Sequence, residues 1–312
     1  MRILVTGGAG FIASHVADAF VAAGHEVWVV DNLSTGRREN VPAGARFSEL
    51  DLLDPKLIEL VAEFRPDCID HHAAHADVFE SVKDPVNDAR VNVLGTVALL
   101  HAAAQASVGK FIFISSGGAI YGEPEQFPCN EEHPARPISP YAAAKLAGEN
   151  YLHTFGRVHG LDYTVLRYPN IYGPRQHPYT EEGQVVPLFA RLMLAGRQPT
   201  IFGDGEQARD FLYVGDVVRA NELALERGAG QVLNLGTGEA ITINSLYRSL
   251  QVLTGYEAPP RYGPGRAGEV YRIALDASRA GQELGWRPQT SFDDGLRATV
   301  EWVRANPVIA SS

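Results

Sequence analysis

The stretch Thr6-Gly7-Gly8-Ala9-Gly10-Phe11-Ile12-Ala13 constrains the fold of this 312-residue chain more than any other. It lies where a buried strand pattern, Arg2–Thr6, meets a helical pattern that starts at Phe11. Gly7, Gly10 and Ala13 follow the spacing Gly-x-x-Gly-x-x-Gly/Ala. In that spacing the first position permits a tight turn, the second lets a pyrophosphate approach the backbone, and the third lets the helix pack on the strand. The helix N-terminus beyond it offers free N–H groups and the positive end of a dipole. Asp31 follows Gly10 by 21 residues, at the tip of a second strand pattern, Glu26–Val30. A carboxylate there accepts hydrogen bonds from both ribose hydroxyls and repels a 2′-phosphate. The turn therefore predicts a dinucleotide site of the NAD kind, with Arg37 and Arg38 nearby keeping NADP as an alternative.

The N-terminal half alternates strand and helix patterns, which predicts a parallel sheet with helices on both faces. After the first helix (Phe11–Ala23, ended by Gly24) come strand patterns at Arg46–Leu50, Cys68–His71, Phe111–Ser115 and Tyr163–Tyr168. A helix begins near Asp54-Pro55, and an Ala/Leu-rich one covers Ala89–Ala106. Prolines punctuate shorter elements from Pro169 onward, as in a smaller capping region, and Val232–Leu235 reads as a late strand rejoining the sheet. The expected class is α/β: a Rossmann-type doubly wound parallel sheet with a smaller α/β substrate-binding C-terminal domain. The expected division is 1–168 for the dinucleotide domain, rejoined by 211–240, with 169–210 and 241–312 forming the second.

A second motif lies about 130 residues downstream. Tyr141-Ala142-Ala143-Ala144-Lys145 places a phenol and an ammonium on one helix face. A free tyrosine titrates near a pH of about 10 and is a weak base at neutrality unless its anion is stabilised. The lysine supplies positive charge beside it, and a nicotinamide ring would add more. Ser115 and Ser116 end the preceding strand, where open α/β sheets place ligands. Either hydroxyl can bridge Tyr141 and a substrate oxygen, or both can cap the turn.

The formal charge of −10 argues against binding nucleic acid or an anionic membrane, since both need a basic face. Two cysteines, Cys68 and Cys129, are too few for a disulfide framework, and no leader or membrane-spanning apolar run is evident. The expectation is a cytoplasmic chain. Its four lysines include Lys145, which adds weight to that residue having a role. His71, His72 and His75 suggest a metal cluster at first sight, but no neighbouring Cys, Asp and Glu set completes tetrahedral spacing, so no metal is expected. Trp286 and Trp302 are read as core.

These residues resemble the extended short-chain dehydrogenase/reductase family, and within it the UDP-glucose 4-epimerase type. The resemblance covers nearly the whole chain. Beyond the two motifs it includes Asp31-Asn32-Leu33-Ser34-Thr35-Gly36, Asp51-Leu52, His72-Ala73-Ala74 and Asn92-Val93-Leu94-Gly95-Thr96. It continues through Ser115–Gly122, Leu166–Arg175 with Asn170-Ile171-Tyr172-Gly173-Pro174-Arg175, Arg209-Asp210-Phe211 and Asn234–Gly238. The resemblance implies a bound NAD and a UDP-sugar substrate. It implies that Tyr141 takes the proton of the sugar 4-hydroxyl while the C4 hydride leaves, and that a transient 4-keto sugar turns over. Lys145 would hold the nicotinamide ribose and lower the pKa of Tyr141. Gly7, Gly10, Phe11, Ile12, Asp31–Gly36, Asp51, Leu52, His72, Ala73, Ala74, Ala76, Asn92, Ser115, Tyr168 and Pro169 would complete the cofactor site. Ser116, Asn170, Gln184, Val185, Ile201, Phe202, Arg209 and Arg266 would meet the UDP-sugar. The helices around 89–106, with the small-residue face Ala98–Ala106, and around 141–156 would form a two-fold four-helix homodimer interface.

Three departures bear on these implications. Counting back from Tyr121-Gly122, the family's catalytic Ser/Thr falls on Gly117, leaving Ser116 as the nearest hydroxyl. Gly183-Gln184 stands where epimerases often carry asparagine. Gly118-Ala119 replaces the Asp-Glu pair of sugar-nucleotide 4,6-dehydratases, which removes the acid needed for water elimination. The leading expectation is 4-epimerisation of UDP-glucose and UDP-galactose. The alternatives are a 4-epimerase of UDP-N-acetylhexosamine or UDP-glucuronate, and a non-catalytic NAD-binding protein of the same fold.

Overall fold

The computed structural model describes residues 1–176, 185–265 and 270–307. Its first elements are β1 (Arg2–Thr6), α1 (Phe11–Ala22), β2 (Glu26–Asp31), β3 (Arg46–Glu49), α2 (Lys56–Phe64) and β4 (Cys68–His71). Next come α3 (Val78–Lys83), α4 (Pro85–Ala89), a π-helical turn at Arg90–Leu94, and α5 (Gly95–Gln105). The sheet resumes with β5 (Lys110–Ser116), then α6 (Pro140–His159) and β6 (Asp162–Tyr168). The helix expected over Ala89–Ala106 is thus interrupted by a π turn, a feature that tends to mark functional sites. Beyond β6 lie β7 (Asn170–Tyr172), α7 (Val185–Leu194), β8 (Thr200–Phe202), β9 (Ala208–Arg209), β10 (Phe211–Tyr213) and α8 (Val214–Ala224). The chain continues with β11 (Gln231–Asn234), β12 (Ile241–Thr242), α9 (Ile243–Thr254), β13 (Arg261–Gly263), α10 (Ser278–Glu283) and α11 (Phe292–Ala305).

Seven strands form one parallel sheet in the order β11-β6-β5-β4-β1-β2-β3. A parallel sheet is buried on both faces, so its strands are near-continuous apolar runs. Ile3, Leu4, Val5, Phe111 and Ile112 are accordingly wholly buried. On one face, α1 and α8 cover a core containing Val16, Phe20, Ala220 and Trp286. On the other, α2, α5 and α6 cover Leu57, Leu99 and Leu152. A separate core between α7, α9 and α11 contains Phe189, Leu246 and Leu296, with Trp302 partly buried against it. No described helix is long and apolar enough to cross a membrane.

Strand order reverses at β1, whose neighbours are β2 and β4, and ligands bind outside the carboxyl ends of strands at such a reversal. In register, Thr6 at the end of β1 lies beside His71 at the end of β4, so the glycine turn meets the exit of β4. Helix α6 brings the second motif to the same edge. Ser139 caps it by accepting from the Ala142 N–H at 3.2 Å, Pro140 opens its first turn, and Gly160 ends it at φ 68°. Gly148 lets this helix lie close on β5, because a Cβ there would stand 2.5 Å from Phe113 Cζ. Gly148→Ala is expected to destabilise the protein by about 1–3 kcal/mol through overpacking. The measurement is urea unfolding, and an unchanged midpoint would contradict this seating of α6.

Candidate active site

A cavity of about 1040 Å³ runs along the carboxyl edge of the sheet and is lined by both motifs. At one end Gly7 adopts φ 72°, and the Gly10 N–H donates to its carbonyl at 2.9 Å. A Cβ on Gly7 would stand 2.7 Å from Ala73 N, so this turn accepts only glycine without movement. Gly10 has an ordinary φ of −79°, and a Cβ there would meet only the Gly7 carbonyl, at 3.1 Å. Among the described residues no side chain caps α1, which leaves its first N–H groups for a ligand where Gly10, Phe11 and Ile12 line the wall. Glycine cradle and uncapped helix together fit a dinucleotide pyrophosphate.

Asp31 stands on the same wall and accepts from the Ala9 N–H at 3.0 Å and the Leu33 N–H at 2.8 Å. Burial raises its carboxyl above the usual range, and those two N–H groups act against the rise. Asn32, Ser34 and Thr35 line the cavity, as do Asp51 and Leu52. Leu33 and Gly36 do not, and they serve Asp31 instead. A Cβ on Gly36 would stand 2.9 Å from Asp31 Oδ1, so glycine lets the loop close over the carboxylate.

His72, Ala73, Ala74 and Ala76 line the next stretch, with Tyr168 and Pro169 also on the wall. The three histidines of the sequence motif each have a separate partner. His71 Nδ1 lies 2.7 Å from Thr6 Oγ1 and its Nε2 lies 3.0 Å from Thr96 Oγ1, while burial holds it well below its usual value. His72 Nε2 is 3.1 Å from Asp70 Oδ1, and His75 Nδ1 is 3.5 Å from Asp88 Oδ1. Among the described residues no group of three metal-ligating side chains comes together. Asn92 is off the cavity wall. Its Oδ1 accepts from the His75 N–H at 2.8 Å, and its Nδ2 donates to the His75 carbonyl and to Asp88 Oδ1, both at 2.9 Å. It therefore pins the loop that carries Ala73–Ala76.

At the other end stand Tyr141, Lys145 and Ser116. Lys145 is 4% exposed, and its ammonium donates to the Ile114 carbonyl at 2.9 Å. Burial pulls that ammonium down to about 8, against the charges of Asp88 and Glu149. Burial pushes the Tyr141 phenol up to about 12; a Ser116 hydrogen bond opposes the rise and Asp88 adds to it. The lowering by Lys145 expected from sequence is not seen in the protein alone, where only the Ser116 hydrogen bond opposes burial and Asp88. A positive ligand group in the cavity would shift that balance toward the phenolate.

The two serines have different fates. Ser115 lines the cavity, and its Oγ donates to Glu149 Oε1 at 2.5 Å. Ser116 is the hydroxyl that addresses Tyr141. At Gly117 a Cβ would collide with Leu275 Cδ1, so a hydroxyl residue does not fit there unless Leu275 moves. Asn170 and Arg209 line the cavity, and Arg209 Nη1 donates to the carbonyls of Ala208 at 3.1 Å and Tyr271 at 3.2 Å. Val185 and Phe202 are half-buried off the wall, and Ile201 is wholly buried in the C-terminal core. Gln184 and Arg266 lie outside the described residues.

Sequence reasoning missed Arg175, which lines the cavity and donates from Nη1 to Asp18 Oδ2 at 2.6 Å, docking its loop on α1. Its place at the end of the Asn-Ile-Tyr-Gly-Pro-Arg motif was the available signal. It also missed Asp88 and Glu149, whose spacing of four from Asn92 and Lys145 marks shared helix faces. The arrangement pairs a dinucleotide cradle with a group able to move a proton at a hydroxyl. Gly7→Ala is expected to lose about 1–3 kcal/mol of stability from its strained backbone. Gly10→Ala should cost far less stability yet weaken dinucleotide binding. Denaturant melts and a dinucleotide titration of both variants separate the two roles.

The sequence model of the NAD dependent epimerase/dehydratase family matches residues 3–236. A crystal structure of UDP-glucose 4-epimerase with UDP-glucose from Thermotoga maritima is 48% identical and superposes with a TM-score of 0.97, covering 98% of this chain and 99% of that one. A UDP-glucose 4-epimerase complex with NAD from Thermus thermophilus is 45% identical with a TM-score of 0.92, over 97% and 99% of the two chains. A dTDP-glucose 4,6-dehydratase from Streptomyces niveus is 38% identical over 98% of this chain and 94% of its own length.

Proposed function

The chain belongs to the NAD dependent epimerase/dehydratase family, and from that premise we propose that it is an NAD-dependent 4-epimerase of UDP-glucose and UDP-galactose. The observation that carries this reading is one cavity with Gly7 and the uncapped α1 at one end and Tyr141, Lys145 and Ser116 at the other. The Gly7–Ala13 turn holds the cofactor pyrophosphate, Asp31 the adenosine ribose and Lys145 the nicotinamide ribose. Bound NAD supplies a place for the C4 hydride to go and to return from. Tyr141 accepts the proton of the sugar 4-hydroxyl, Ser116 hydrogen-bonds the same oxygen, and the Lys145 ammonium stabilises the phenolate. The 4-keto sugar turns over, and Tyr141 returns the proton to the 4-oxygen of the epimer. Arg209 faces the substrate diphosphate, where a guanidinium makes charge-assisted hydrogen bonds. Gly118 and Ala119 line or border the same wall without an acid, which favours epimerisation over water elimination.

The protein is read as a cytoplasmic homodimer. Val86 on α4, Leu94 on the π turn, and Tyr151 and Val158 on α6 are exposed apolar side chains, which supports a two-fold helical interface. Both thiols, Cys68 and Cys129, are free and buried. Sedimentation should return twice the chain mass of 33.8 kDa.

The deciding experiment gives purified wild type and Tyr141→Phe UDP-galactose without added cofactor and follows UDP-glucose. Wild type is expected to convert it, and the variant to fall by ~10²–10⁴-fold, the range for losing a general base. Activity only after NAD is added would mean weak cofactor retention. Inertness with NAD would overturn the sugar assignment, and UDP-N-acetylhexosamine and UDP-glucuronate would be tested next. Tight NAD binding with no turnover on any of them would favour a non-catalytic binding protein.

A further inference from the structure

Lys145 is a buried cation that makes no ion pair among the described residues; its ammonium donates to the Ile114 carbonyl. Two carboxylates act on it, Glu149 and Asp88. Glu149 is already neutralised, since Arg167 donates to it from Nε at 3.0 Å and from Nη2 at 2.6 Å. Asp88 is different. It is 1% exposed, accepts from Asn92 Nδ2 at 2.9 Å, and lies 3.5 Å from His75 Nδ1. Its Oδ2 is buried and has no hydrogen-bond partner among the described residues. It sits on α4, which packs on α6, the helix of Tyr141 and Lys145. A buried carboxylate with so little direct satisfaction is costly unless a positive charge lies within reach.

We propose that Asp88 is a positioning residue of this site: the buried counter-charge that keeps Lys145 an ammonium while, through Asn92, it anchors the loop at His75. The inference rests on the role given to Lys145 in the proposed reaction. The titratable groups acting with Asp88 are His75 on the loop after β4 and Tyr141 and Lys145 on α6. His71 on β4 is held neutral by burial, and Glu80 and Lys83 on the adjoining α3 pair with each other at the surface. Arg90, on the π turn, is exposed. Removing the Asp88 charge has a definite sign. Lys145 loses a stabilising partner, so its ammonium deprotonates at lower pH. Tyr141 loses a repelling neighbour, so its phenolate also forms at lower pH. Both limbs of the rate profile therefore move toward acid together.

The test uses Asp88→Asn, which keeps an oxygen for Asn92, and Asp88→Glu, which keeps the charge. Lys145 is one of only four lysines, so acetic anhydride labelling across pH, read on its peptide by mass spectrometry, gives its midpoint without any need for turnover. The expected midpoint falls by about one pH unit in Asp88→Asn, the low end for a neighbouring opposite charge, and stays at the wild-type value in Asp88→Glu. The kcat profile on UDP-galactose should shift toward acid on both limbs in the asparagine variant. An unmoved midpoint, or a fall in kcat with unmoved limbs, would overturn the proposal and leave Asp88 a merely structural residue. Should Asp88→Asn not fold, Asp88→Ser carries the same test. A wild type inert on every nucleotide sugar would overturn the reaction assignment, while the labelling would still decide the counter-charge.

Discussion

The Glu149–Arg167 pair is the contact on which the geometry of the site depends. Glu149 lies one helical turn after Lys145 on α6, and Arg167 lies next to Tyr168 at the end of β6. Their hydrogen bonds, with that of Ser115 to the same carboxylate, bind α6 to the ends of β5 and β6. Arg167 also donates to Tyr121 Oη at 2.7 Å, and Tyr121 donates to Asn234 Oδ1 at 2.7 Å, which reaches β11. A buried ion pair adds little net stability compared with an apolar replacement, but losing one partner strands a charge in the interior. Its contribution here is therefore orientation. It sets the phenol and ammonium of α6 against the strand edge where a ligand arrives.

A second constraint comes from topology. Because β1 separates β2 from β4, the turn after β1 and the loop after β4 leave the sheet side by side. Gly7 has to be glycine for two reasons at once, its positive φ and the backbone of Ala73 against it. The loop is held in turn by Asn92 from the π turn. Cradle, loop and π turn thus form one hydrogen-bonded layer under the cavity, and Asp88 adds the charge that this layer presents to α6.

Most of the framework was legible because parallel strands and amphipathic helices write their periods into the chain. The strand patterns at Arg2–Thr6 and Cys68–His71 coincide with observed strands, and the late Val232–Leu235 pattern falls one residue from β11. The π turn was not legible, since its residues keep an ordinary helical composition and only the backbone hydrogen bonding differs. The roles of the two adjacent serines were also hidden. Their separation depends on Glu149 waiting below one of them and on Leu275 occupying the space beside Gly117.

The α/β alternation, the glycine turn, the carboxylate at Asp31 and the tyrosine–lysine pair can all be read along the chain, because each is a matter of local spacing along one element. Which of these groups are buried, and what they face, emerges only when distant segments pack together. Desolvation raises Tyr141 and lowers Lys145, and it arises from chain segments far apart in sequence that exclude water together. The same holds for the partners of His71, His72 and His75, three neighbours in sequence that the fold sends to three different places. Spacing is a one-dimensional property and can be read from the chain, whereas burial and counter-charge exist only once the sheet has closed around them.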